Sequence, residues 1–236
     1  EELYRDTVDL LLDWWEGHKA QNPEGQLLSL TELLKLGREG MEGLRRLMNQ
    51  LAYEAHAAQP ELLGTANISY NAVAGGLMKL SEHREVNPRL LADYLRDRAG
   101  LLVAHGVDVY RFPHRTFQEY LAACYLTEQG DYPENIADLA RRDPNRWREV
   151  VLLAGAKAAR GAAPTIWYLI DALCWQEVDC QDAETADAWG ALLAAQALLE
   201  TTTLIQISPK NRAKLERVRR WLAAILTEQV PFDSAQ

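Results

Sequence analysis

The densest run of side chains able to do chemistry is Tyr110-Arg111-Phe112-Pro113-His114-Arg115-Thr116-Phe117-Gln118-Glu119-Tyr120-Leu121-Ala122-Ala123, where a histidine, arginines and a carboxylate alternate with aromatic and small residues. Nothing in it, or elsewhere, forms a bond-breaking motif. No Gly-Lys dipeptide occurs, which excludes a Walker A loop, and neither G-x-S-x-G nor H-E-x-x-H is present. Cys124, Cys174 and Cys180 have no neighbouring histidine that sequence assigns to them, and Cys174-x5-Cys180 has no second pair downstream, so no metal site is expected. Carboxylates such as Glu184 and Asp187 read as solvated helix faces. No catalytic residue is expected in this chain.

Two basic clusters could contact phosphate: Arg141, Arg142, Arg146 and Arg148, and Lys210, Arg212, Lys214, Arg217, Arg219 and Arg220. In the second, Lys214, Glu216 and Arg217 surround Leu215 while Arg219 and Arg220 flank Trp221, the pattern of the wet side of an amphipathic helix. The chain of 236 residues carries 34 acids against 25 Lys plus Arg, a net charge of −9, which argues against a module whose affinity comes from neutralising phosphates. Three cysteines form no disulfide framework and suggest a reducing compartment, hence the cytoplasm. The longest uncharged stretch, Leu62 to Met78, is broken by Thr65, Asn67, Ser69 and Asn71, so no membrane span is expected. The chain opens on Glu1 rather than Met, without a signal-peptide pattern, and reads as a piece of a longer protein.

Helical periodicity must position these residues. Trp147, Val150, Val151, Ala154 and Ala158 share one face, as do Phe117, Tyr120, Leu121 and Cys124. Asn87-Pro88, Asp143-Pro144 and Ser208-Pro209 each place a side-chain acceptor before a proline, the signature of a helix start. Ser29-Leu30-Thr31-Glu32 reads as a capping box, with Gly37 able to end that short helix. The spacing predicts helices at 3–16, 30–36, 42–58, 69–80, 88–99, 114–128, 145–160, 164–176, 183–201 and 209–228. Between two of them, the β-rich runs Leu101–Ala104 and Val109–Phe112 flank a Gly106 turn, which predicts a hairpin over 101–112. Trp147, Trp167, Trp189 and Trp221 mark apolar faces at irregular intervals, as in stacked helix pairs of a solenoid. Helix 183–201 is apolar nearly all round and should lie between neighbours.

The Phe112–Ala123 block resembles the F-x-H-x-(S/T)-F-Q-E-(F/Y)-L-A-A signature that closes the winged-helix domain of NACHT-type STAND NTPases, relatives of the NOD-like receptors. Leu3-Tyr4-Arg5-Asp6 through Trp14-Trp15, Leu44 through Ala58, and Trp147 through Ala154 agree more weakly. The resemblance implies a mainly α fold: a helical segment over 1–40 after an NTPase core absent here, a winged-helix domain over 41–135 with the 101–112 hairpin, and an α-solenoid-like helical superstructure over 136–236. It also implies that His114 points toward the β-phosphate of ADP in a closed, inactive parent. A histidine at a helix start, beside free N–H groups and the positive end of the dipole, suits an anion. Phe117, Tyr120 and Leu121 are core residues by spacing, and Gln118 and Glu119 are expected to tie their helix to the hairpin.

The expected function is therefore regulatory. The parent would be an ATPase using ADP, ATP and Mg, and this region would hold it closed, then rearrange so that it oligomerises in signalling or antiphage defence. Its partners would be the nucleotide-binding domain of the same chain and proteins contacting the helical region. Two rivals remain at this point. A DNA-binding winged helix would read through helix 88–99, which carries Arg89, Arg96 and Arg98 but also Asp93 and Asp97, with only Arg111 on the wing. A passive scaffold would bind a protein through 136–228 and has no need of His114.

Overall fold

A computed structural model of the chain describes residues 2–17, 20–21, 25–29, 32, 40–61, 63–80, 101–178, 183–201 and 207–232. The helix expected at 88–99 lies outside the described residues, as does that at 30–36 apart from Glu32. The chain divides into two units, Glu1–Tyr125 and Leu126–Gln236.

In the first unit, α1 (Glu2–Gly17) buries Val8 and Leu12, one helical turn apart. Two short strands, β1 (Ala20–Gln21) and β2 (Leu27–Leu28), then pair antiparallel with Ala20 opposite Leu28. The sequence gives no sign of this ribbon, because two-residue strands leave no alternation to read. The expected capping box is formed: the Ser29 N–H donates to Glu32 Oε2 at 2.8 Å and the Glu32 N–H to Ser29 Oγ at 3.3 Å.

Helix α2 (Gly40–Ala58) turns Leu44, Leu47, Met48, Leu51, Ala52 and Ala55 inward at three- and four-residue spacing. It packs against α3 (Tyr70–Leu80), which buries Val73, Ala74 and Leu77. The Ser69 hydroxyl caps α3 by accepting from the Ala72 N–H at 3.2 Å.

The predicted hairpin is present as β4 (Val103–Ala104) and β5 (Val109–Arg111), with Val103 opposite Arg111 and Ala104 opposite Tyr110. Gly106 takes φ 88° at its tip, a left-handed conformation that costs glycine nothing, and the His105 N–H closes the loop on the Val109 carbonyl at 2.8 Å. A third strand, β3 (Ile68–Ser69), extends the sheet to the order β3-β5-β4. Its partner lies some forty residues away, as the Ile68–Tyr110 pairing shows, so no local signal announces it. The Tyr70 N–H then donates to the Asp108 carbonyl at 2.8 Å, fastening the start of α3 to the hairpin. After β5 the chain enters α4 (Arg115–Thr127).

The second unit is built from α5 (Glu134–Arg142), α6 (Pro144–Gly161), a 3-10 turn (Ala163–Thr165), α7 (Ile166–Leu173), α8 (Thr185–Thr201) and α9 (Pro209–Leu226). Two predicted caps are realised. The Asp143 carboxylate accepts from the Arg146 N–H at 3.1 Å and the Ser208 hydroxyl from the Asn211 N–H at 3.3 Å, each before a first-turn proline. Helix α5 was not expected. Its inward face is Ile136, Ala137 and Ala140, set opposite its charged residues. The four tryptophans at 147, 167, 189 and 221 are all buried. As its composition predicts, α8 lies between neighbours, touching α5, α6, α7 and α9, although Leu199 near its end is exposed. Among the described residues no helix is long and apolar enough to cross a membrane.

Candidate functional site

Tyr110 on β5 and Phe112 just after it are buried, which anchors the exit of the hairpin. Pro113 follows, and one residue later His114 stands exposed at the entrance to α4. The His114 carbonyl accepts from the N–H groups of Phe117 at 3.1 Å and Gln118 at 3.5 Å, so it receives the first bonds of the helix and serves as its N-cap. The N–H groups of Arg115 and Thr116 precede those bonds, at the positive end of the α4 dipole.

The imidazole is backed by an aromatic relay. Its ring lies 5.7 Å from that of Phe117, which meets Tyr4 of α1 edge-on at 6.4 Å, and Tyr4 is 6.1 Å from Tyr120. Tyr120 and Leu121 are buried, as the spacing predicts. Phe117 departs from the expectation of a core residue. It is only partly buried, because its ring forms the layer between the exposed His114 and Tyr4.

Gln118 also departs from expectation. It does not join α4 to the hairpin. Its side chain is fully buried, accepting from the Ala66 N–H at 2.8 Å and reaching His56 Nδ1 at 3.1 Å and Gln59 Oε1 at 3.3 Å, so it binds α4 to α2 and to the strand-entry segment before β3. Glu119 is buried and takes a hydrogen bond from Arg115 Nε at 2.7 Å, within its own helix. Sequence reasoning missed this because the partners of Gln118 lie more than fifty positions upstream.

The basic clusters are largely spoken for. Arg141 pairs with Asp187, Arg142 with Asp138 at 3.5 Å, Arg146 with Asp143 at 3.0 Å and Arg220 with Glu177 at 3.0 Å. Lys214 and Arg217 are not on a wet face as the spacing suggested. Lys214 is buried, and both pair with Asp171. Burial pushes the Asp171 carboxyl upward, but the hydrogen bonds and charges of Lys214 and Arg217 outweigh it and hold the group below the ordinary carboxylate value. On the wing, Arg111 Nε donates to Asn67 Oδ1 at 2.6 Å.

Packed helices followed by a small antiparallel sheet with a protruding hairpin make the first unit a winged helix-turn-helix domain. Residues 1–126 match the family described as the winged helix-turn-helix domain C-terminal to NACHT, and the chain belongs to that family. No curated protein and no solved structure matches the chain.

Proposed function

We propose that this chain is the regulatory region of a NACHT ATPase, and that His114 holds the parent in its ADP-bound, closed state. Membership of a family that follows NACHT supplies the partner, the nucleotide-binding domain of the same chain. The observation that carries the reading is the contrast within the signature: its Phe112, Gln118, Tyr120 and Leu121 are buried while His114 is presented outward at a helix start. That setting, an exposed imidazole at the positive end of the α4 dipole, favours a phosphate oxygen. The rest of the nucleotide, and Mg, would be held by the preceding domain.

Loss of the phosphate contact on exchange for ATP would release the winged-helix domain as a rigid body, and the parent would then oligomerise for signalling or defence in the cytoplasm. The chain itself lacks a Walker A loop and is read as no enzyme. In the intact NACHT-bearing chain, His114→Ala is expected to speed ADP dissociation and raise basal activity. Unchanged dissociation and unchanged output would end this reading.

A further inference from the structure

Gln118, His56 and Gln59 form a hydrogen-bonded cluster inside the first unit, with Gln118 fully buried, His56 1% exposed and Gln59 7% exposed. The backbone fixes which way both amides face. The Ala66 N–H can only donate, so the Gln118 atom 2.8 Å from it is the carbonyl oxygen, Oε1. At the other end, the Leu63 and Gly64 carbonyls can only accept, so the Gln59 atom 3.1 and 3.4 Å from them is the nitrogen, Nε2. Gln59 Oε1 therefore faces Gln118 Nε2 at 3.3 Å and takes one of its protons. The second proton points at His56 Nδ1, 3.1 Å away, which must offer a lone pair. A flip of Gln118 would set its NH2 against the Ala66 N–H, so the cluster has one arrangement.

The main chain of Gln118 carries this constraint to the helix start, because its N–H bonds to the His114 carbonyl at 3.5 Å beside that of Phe117 at 3.1 Å. One residue is thus fastened to α2 and the β3 entry through its side chain and to His114 through its backbone. We infer that Gln118, read by a His56 whose Nδ1 is bare, is the positioning residue that fixes the first turn of α4 and thereby where His114 is presented. This rests on the nucleotide-sensing role proposed for His114.

The first arm of the test is 15N NMR of the full chain labelled at histidine, with the His56 signals assigned by their loss in His56→Asn. His56 is expected to show an unprotonated Nδ1 and a protonated Nε2; a proton on Nδ1 overturns the inference. In Gln118→Glu one carboxylate oxygen still accepts from Ala66, but residue 118 no longer donates toward His56. That ring is then expected to gain a proton on Nδ1 and pair with the new charge. A ring that stays bare at Nδ1 in that variant also overturns the inference.

The second arm uses the intact NACHT-bearing chain loaded with ADP. His56→Leu and Gln118→Leu break the link, whereas His56→Asn keeps an acceptor, its Oδ1, near the position of Nδ1. ADP release is expected to quicken about tenfold in the leucine variants, the effect of losing one net hydrogen bond, and to stay within about twofold in His56→Asn. Equal release from His56→Asn and His56→Leu overturns the inference. His56→Asn and Gln118→Glu keep the cluster polar, so the NMR arm decides the inference whether or not a leucine variant folds.

If His114→Ala alone leaves ADP release unchanged, the nucleotide reading fails separately. Amide exchange at Phe117 and Gln118 then decides the positioning role. Faster exchange in His56→Leu than in His56→Asn sustains it, and equal exchange overturns it.

Discussion

Lys214 of α9 donates from Nζ to the main-chain carbonyl of Trp167 in α7 at 2.9 Å, and the same ammonium pairs with Asp171 at 3.0 Å. One turn further on, Arg217 donates to the Cys174 carbonyl, at the C-terminal cap of α7, at 2.6 Å and joins the pair with Asp171. Arg217 thus satisfies a carbonyl at the negative end of the α7 dipole, and the two cations of α9 share one carboxylate.

Lys214→Met keeps the aliphatic stem and removes the ammonium. It is expected to destabilise the second unit by about 2 kcal/mol, the worth of hydrogen bonds to a charged group, and to lower the melting temperature. An unchanged melt would show that Lys214 adds nothing to the hold of Arg217 and of the apolar face, Leu215, Val218 and Trp221.

Asp171 supplies a pH test. Its carboxyl is held below the usual carboxylate range, so the unfolded chain takes up its proton first as pH falls. The stabilisation is complete above the unfolded value and is lost as pH falls through the folded one. The stability gap between wild type and Asp171→Asn should therefore be full at neutral pH and close on acidification below the ordinary carboxylate range. Urea denaturation at stepped pH measures it; a gap that widens in acid would contradict the assignment.

Gly190 lets α8 lie against the end of α7. A Cβ there would stand 2.1 Å from the Leu173 carbonyl oxygen, and backbone does not yield as a side-chain tip does. Gly190→Ala is expected to cost about 3 kcal/mol or more, by overpacking. Gly161→Ala, where an added Cβ meets nothing within 4 Å, serves as the control and should change stability little. Similar losses at both positions would mean that close approach at Gly190 is not the cause.

What the sequence reveals of this fold depends on how local each signal is. Asp143-Pro144 and Ser208-Pro209 announce their helices because cap and partner lie three residues apart, and both bonds are present. The 101–112 hairpin is legible because its turn and both strands are contiguous. The strand at Ile68–Ser69 is not, since only the distant Tyr110 and Val109 define it. The site divides in the same way. Position in the signature singles out His114, and burial at helical spacing singles out Tyr120 and Leu121. The attachment of Gln118 to His56 and Ala66, and of Lys214 to Trp167, is made between segments; from sequence Lys214 reads as the wet side of its helix and Gln118 as a tie to the hairpin.

The DNA-binding rival gives a separate expectation. Arg111 on the wing is engaged by Asn67, and the cations of the helical unit are mostly paired with carboxylates. Fluorescence anisotropy with duplex DNA should show no binding tighter than the roughly 10⁻⁴–10⁻⁶ M typical of non-specific contacts. Tight binding that falls steeply with added salt would favour a nucleic-acid role.

The aromatic relay behind His114 separates presentation of the imidazole from stability of the domain. Phe117 touches His114 on one side and Tyr4 on the other, so Phe117→Ala should both lower stability and let the imidazole wander. His114→Ala, at an exposed position, should leave stability nearly unchanged while speeding ADP release from the intact NACHT-bearing chain. If Phe117 acts on nucleotide only through His114, the double variant should release ADP no faster than His114→Ala alone, while its stability falls to about that of Phe117→Ala. Release rates that multiply instead would show that Phe117 reaches the nucleotide site by another route. In that event the approach of the two tilted rings would be a packing contact, and the orientation of His114 would rest on the first turn of α4.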